Sequence, residues 1–139
     1  MELTIREDDL TAPEVRALLK EHLADLALHS PACSVHAMPV DRLRAPDVTF
    51  WSAWSGDRIV GCGALKELDP RHGEVKSMRT IDDVRGQGVG ALVLDHLIGE
   101  ARRRGYSRIS LETGSNEPFF PAHRLYARRG FEACAPFAD

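Results

Sequence analysis

The feature of this sequence that most restricts its fold is a run of glycines at alternate positions, Arg85-Gly86-Gln87-Gly88-Val89-Gly90, inside the stretch from Gly73 to Gly105. On its N-terminal side Val75, Ser77, Arg79 and Ile81 alternate with Glu74, Lys76, Met78 and Thr80. That period of two, with its β-branched residues, predicts a strand that Asp82 and Asp83 bring to an end. On the C-terminal side Leu94, Leu97, Ile98 and Ala101 recur at helical spacing, and Gly105, after Arg102, Arg103 and Arg104, marks a helix stop. Glycine admits positive φ and lets the backbone approach a ligand with no Cβ in the way. The loop therefore leaves N–H groups bare at the start of a helix, where the positive end of the helix dipole points to the same spot and Arg85 adds a formal charge. This combination favours a phosphate or pyrophosphate.

Three readings fit the loop. It can simply connect a strand to a helix. Gly86-x-Gly88-x-x-Ala91 also matches a relaxed dinucleotide fingerprint, with Glu112 downstream as an acidic ribose ligand. That match is loose, because Asp82-Asp83-Val84-Arg85 separates the strand from the glycines and the preceding strand does not start the chain. The third reading is coenzyme A. Arg85-x-x-Gly88-x-Gly90, preceded by Glu-Val-Lys-Ser-Met-Arg, resembles the acetyl-CoA motif of the GNAT N-acetyltransferase superfamily. Leu125-Tyr126-x-x-x-Gly130-Phe131 resembles that family's closing motif. The order and separation of the two reinforce one another, and the resemblance covers nearly the whole chain.

The resemblance implies an α/β fold of the α+β type: a twisted, mixed but mostly antiparallel sheet flanked by helices, with two central strands splayed around an acetyl-pantetheine arm. It implies acetyl-CoA as acyl-donor cosubstrate, with no metal. The pyrophosphate is then expected on the N–H groups of Gln87, Gly88, Val89 and Gly90, with Arg85 and Gly86 beside them, and the pantetheine on main-chain groups of Met78, Arg79 and Thr80. Tyr126 is the expected general acid for the leaving thiolate, against a bland role as a core tyrosine closing the last helix. Glu74, four residues before Met78, matches where some members carry a general base, against a bland ion pair with Lys76 or an arginine. Many members place an asparagine seven residues before the tyrosine. Here that position is Phe119, and Asn116 is the nearby substitute. His72 and His123 could accept a proton near neutral pH, but neither matches a family position.

The remaining chain fits one domain over residues 1–139, long enough to bury about two-thirds of its unfolded surface. Leu3 and Ile5 predict a short first strand. Thr11-Ala12-Pro13-Glu14 offers a capping box for a helix whose Val15, Leu18, Leu19, His22 and Leu26 share one face, with His22 at the edge of the core. Residues Ser30 to Val48, with Pro31, Pro39 and Pro46, predict a loop with a helical turn at Val40 to Leu43; the resemblance implies that this region shapes the acceptor pocket, where Cys33 and His36 would either touch substrate or stand on the surface. Thr49 to Trp54 and Ile59 to Leu68 predict a hairpin through Ser55-Gly56-Asp57-Arg58. Gly61 and Gly63 in its second strand suggest either a bulge, a close ligand or plain sheet packing. Arg108 to Thr113 predicts a strand parallel to the central one, and Phe119 to Arg129 a short helix. Phe131, Ala133 and Phe137 begin a last strand. The resemblance implies one further strand after this one, which leaves two expectations open: a truncated C-terminus, or completion of the sheet by another molecule, a second copy in a homodimer among them.

A formal net charge of −3 gives no general attraction to nucleic acid, and Arg102 to Arg104 and Arg128-Arg129 read as helix-end clusters. No apolar run suits a membrane span and MELTIREDD lacks signal-peptide features, so a cytoplasmic protein is expected. Cys33, Cys62 and Cys134 suggest neither a disulfide framework nor a zinc site, and no cysteine adjoins the loop as a nucleophile. The activity expected is direct acetyl transfer to a primary amine of a small molecule, with Glu67, Glu74 and Glu112 lining a cation-attracting mouth. The alternatives are an acyl-CoA sensing module without turnover and an acetyltransferase acting on a protein or peptide.

Overall fold

The computed structural model describes residues 2–29, 40–112 and 120–134. Five strands, β1 (Thr4–Glu7), β2 (Val48–Ser55), β3 (Arg58–Asp69), β4 (His72–Thr80) and β5 (Arg108–Leu111), pair in sequence order. All neighbours are antiparallel except β4 and β5, which the crossover through α3 (Val89–Arg103) makes parallel. The other helices are α1 (Pro13–His29), α2 (Val40–Leu43) and α4 (Phe120–Arg128). This is the expected mixed, mostly antiparallel sheet with helices on its faces. The turn expected at Val40 to Leu43 forms as α2.

Alternation along each strand sorts its residues to two cores. Trp51, Ala53, Leu65 and Val75 pack with Val93, Leu94 and Leu97 of α3, while Phe50, Trp54, Cys62 and Ala64 pack with Val15, Leu18 and Leu19 of α1 and Leu43 of α2. The apolar stripe of α1 faces this second layer as its period requires, with His22 buried at its border. The capping box does not form as expected. The helix begins one residue later, at Pro13, with Ala12 accepting the first helical bond from the Arg16 N–H, while the Thr11 hydroxyl donates to Asp9 Oδ1.

Gly61 and Gly63 answer to packing. A Cβ built on Gly63 would lie 2.8 Å from Val93 Cγ1, 3.0 Å from Met78 Sδ and 3.1 Å from Leu97 Cδ1, and one on Gly61 would lie 2.8 Å from Val89 Cγ1. The two glycines let α3 settle directly on β3. Gly63→Ala is therefore expected to cost about 1–2 kcal/mol, because overpacking forces the stiff Val93 side chain or the helix itself to shift. In thermal unfolding this appears as a fall in midpoint of roughly 5–10 °C. An unchanged midpoint would show that α3 yields without cost.

The straight alternation expected along β4 breaks at Ser77. Cys62 pairs with Arg79 and Ala64 with Lys76, so Gly63 alone stands opposite both Ser77 and Met78, and Ser77 has φ +54°. This bulge resets the strand's phase. Val75 and Met78, three apart, both pack on the α3 side, whereas Arg79 points to α1.

The chain beyond Phe131 also differs from expectation: residues 131–134 are not in a strand. Phe131 instead folds back edge-on to Tyr126, ring centroids 5.9 Å apart, and its N–H donates to the Tyr126 carbonyl. Phe137 lies outside the described residues.

Candidate active site

β5 pairs with β4 only from His72 to Val75, whose partner is Leu111, the last residue of β5. From Lys76 to Thr80, β4 has no partner on that side among the described residues, so its main-chain groups there are available to something lying in the gap. This is the splay that the resemblance implies. Asp82–Val84 then make a single 3₁₀ turn, Gly86 and Gly88 take φ +82° and +88°, and Gly88 caps α3 in the left-handed region. Nothing crowds a Cβ at either glycine. They are needed for backbone conformation, since a side chain there costs roughly 1–2 kcal/mol.

The first helical bond of α3 runs from the Leu92 N–H to the Gly88 carbonyl. By helix geometry the N–H groups of Gly88, Val89, Gly90 and Ala91 then have no intrahelical acceptor and face out along the dipole. Two details differ from the sequence reading. The Gln87 N–H is not bare, because it donates to the Val84 carbonyl at 3.3 Å. Ala91, whose N–H completes the set, was missed; counting four residues from the first helical position would have found it. Arg85 is exposed and holds Asp82 Oδ1 at 2.9 Å, a solvent-facing pair worth little and readily exchanged.

The loop, the strand and the last helix converge at Gly90. A Cβ built there would lie 3.4 Å from Leu125 Cδ2 and 3.6 Å from Thr80 Oγ1. The side chains of Leu125 and Tyr126 join the α3 core, and Arg129 grips Asp95 of α3 at 2.6 and 3.1 Å, which fixes α4 against it. Burial among these apolar groups pushes the Tyr126 phenol up to about 12. Tyr126 thus stays protonated through the physiological range.

Glu74 stands on the opposite face of β4. It is 3% exposed, pairs with Lys76 Nζ at 3.1 Å, and lies in register with Lys66 of β3 and Ser110 of β5. The ion pair entertained from the sequence is present. Glu67 does not join it: its register partner is Gly73, on the α3 side, and it accepts a hydrogen bond from the Tyr106 hydroxyl at 2.9 Å. The expected mouth of three glutamates is therefore not assembled. Arg79 contributes no free charge either. Its guanidinium, 8% exposed, binds Asp25 at 2.5 Å and Glu21 at 3.0 Å and so ties α1 to β4, leaving only its main chain facing the gap. Cys62 is wholly buried, which raises its thiol to about 12, and donates to the Ser77 carbonyl. It is no nucleophile. Asn116, Phe119, Cys33 and His36 lie outside the described residues.

Among the described residues no group of three or more His, Cys, Asp or Glu could hold a metal ion, and no helix is long and apolar enough to cross a membrane. The model of the acetyltransferase (GNAT) family matches residues 15–131, which spans both cores, the glycine loop and α4. The chain belongs to the GNAT acetyltransferase family. It is 56% identical over 135 residues to the uncharacterized N-acetyltransferase YsnE of Bacillus subtilis, covering 97% of this chain and 89% of that one. Against the uncharacterized N-acetyltransferase YedL of Escherichia coli it is 48% identical, covering 98% and 86%. A GNAT family acetyltransferase of Elizabethkingia anophelis, solved with acetyl-CoA bound, shares the fold with a TM-score of 0.71 at 22% identity, covering 96% of this chain and 78% of that one. This GNAT chain is accordingly an acetyltransferase. The dinucleotide reading of its glycine loop falls away, since that loop follows the fourth strand of a mixed, mostly antiparallel sheet and not the first strand of a parallel one.

Proposed function

We propose that this enzyme transfers an acetyl group from acetyl-CoA directly to the primary amine of a small molecule. The observation that carries the proposal is the meeting at Gly90 of a helix N-terminus with no side-chain cap, α4, and the end of β4 that has no partner on its β5 side among the described residues. Four N–H groups in one turn, Gly88 to Ala91, with the helix dipole behind them, suit a pyrophosphate, and Arg85 can turn from Asp82 toward the same charge. The bare main chain from Met78 to Thr80 suits the amides of a pantetheine arm, and the Met78 N–H suits a thioester oxygen. Acetyl-CoA supplies the activated acyl group.

The residues around the gap divide the proton work. Glu74, on the α1 side, takes a proton from the incoming ammonium so that a neutral amine can attack. Tyr126, on the α3 side, donates to the departing thiolate. A phenol near 12 is a weaker acid than a thiol near ~8.5, so it serves by hydrogen bonding the thiolate and passing its proton only as the amine sheds one. Acceptor and donor on opposite faces of one strand suit a thioester lying between them.

Thermal unfolding with acetyl-CoA, and separately with NAD and NADP, tests the cofactor. At one hundred times its dissociation constant a ligand adds about 2.7 kcal/mol, which raises the midpoint by several degrees. A rise with acetyl-CoA alone supports the reading; a rise with a dinucleotide alone overturns it. A screen of primary amines under acetyl-CoA consumption then tests the acceptor class.

A further inference from the structure

We propose that His72 is a positioning residue for Glu74 and, through Ser110, the outlet for the proton that Glu74 collects. The inference rests on the reading of Glu74 as the group that deprotonates the amine. Each turnover begins with R–NH3⁺ and ends with an amide, a thiol and one free proton. The amine loses one proton to Glu74, the C–N bond forms as the C–S bond breaks, and the second amine proton balances the one that the thiolate receives. Glu74 must therefore shed a proton to water before the next cycle, yet it is 3% exposed.

Its neighbours decide the route. Lys76 Nζ, 3.1 Å away, is an ammonium with three donors and no acceptor, and cannot take a proton. Lys66, the register partner on β3, has the same limitation. Ser110, the register partner on β5, shares the face of Glu74, is itself 6% exposed, and bears a hydroxyl that both accepts and donates. Ser110 Oγ lies 2.7 Å from His72 Nε2. His72, two residues before Glu74 on the same face, is partly exposed at the start of β4 and carries an imidazole that also works in both directions. Asp69 on β3 and Arg108 on β5 flank it in register. The row from His72 through Ser110 to Glu74 thus leads from solvent to the edge of the splay, with a group able to relay a proton at each step.

The experiment measures acetyl transfer to a reactive primary amine in dilute buffer, with and without added imidazole. His72→Gln, which keeps a hydrogen-bonding side chain beside Ser110, is expected to lower kcat about tenfold, below the ~10²–10⁴-fold contributed by a general base itself. KM for acetyl-CoA should not change, and added imidazole should restore the rate. Ser110→Ala should show a similar loss, and Ser110→Thr, which retains the hydroxyl, should not. An unchanged melting shift with acetyl-CoA certifies that each variant is folded. Parent-like kcat for His72→Gln in dilute buffer, or a loss that imidazole does not relieve, overturns the outlet and leaves the transferase reading intact. If the parent acetylates no amine while acetyl-CoA still raises its midpoint, the amine-transfer reading falls and takes the outlet with it.

Discussion

Tyr126→Phe is expected to lower kcat by roughly 10²-fold or more while KM for acetyl-CoA stays near that of the parent. The ring remains to pack edge-on against Phe131 and only the hydroxyl is lost, so apolar contacts in this corner survive. A change confined to kcat marks an interaction made in the transition state and not in cofactor binding. The pH dependence has a definite sign. With the phenol raised to about 12 in the folded protein against an ordinary 10, it stays protonated, so no alkaline fall in rate from this group is expected below about pH 10. Equal steady-state rates for parent and variant, across amines that the parent acetylates, would remove Tyr126 from proton donation. An inactive parent with intact acetyl-CoA binding would instead favour an acyl-CoA sensor.

The second large effect concerns stability. Burial, reinforced by the Arg79 guanidinium, lowers His22 to about 4 from 6.5. The folded state therefore refuses a proton that the unfolded chain binds below pH 6.5. The stabilisation is complete above that pH and is lost as pH falls toward 4, by about 3 kcal/mol across the interval. Glu100, lowered to about 2 from 4.5 chiefly by its hydrogen bond from Arg103, acts in a lower window. Urea unfolding at a series of pH values should show the slope between 6.5 and 4, and His22→Leu should flatten it. A variant with the parent's slope would mean that His22 is not the group responsible.

Much of this arrangement was legible in the residues. Alternate glycines after a strand pattern and before a helical stripe located the loop, and β4, α3 and β5 followed in the order that makes a parallel crossover. The closing motif falls on α4, whose Leu125 and Tyr126 pack on the α3 core with Leu125 beside Gly90. What the pattern hid are features decided between elements. The bulge at Ser77 has no glycine to announce it, and a period of two reads straight through it. Gly61 and Gly63 could not be assigned to packing until α3 was seen against them. Glu67 was read as part of a charged mouth because a linear pattern does not show that it faces Tyr106, nor does it show that the Arg79 guanidinium reaches back to α1. Phe131 has strand-like character, but its contact with Tyr126 holds it elsewhere.

The bulge has a consequence for how such a protein can diverge. It uncouples the two halves of β4. Residues before Ser77, such as Glu74 and Lys76, are those to which the proposed function assigns the acceptor side, while those after it lead to Thr80, beside Gly90 at the helix terminus. The first half can be rewritten by mutation to suit a new acceptor without turning over the residues of the second. Ironing out the bulge with Ser77 kept in regular pairing would remove that independence: every side chain beyond it would exchange faces, sending the Arg79 guanidinium into the apolar layer beneath α3.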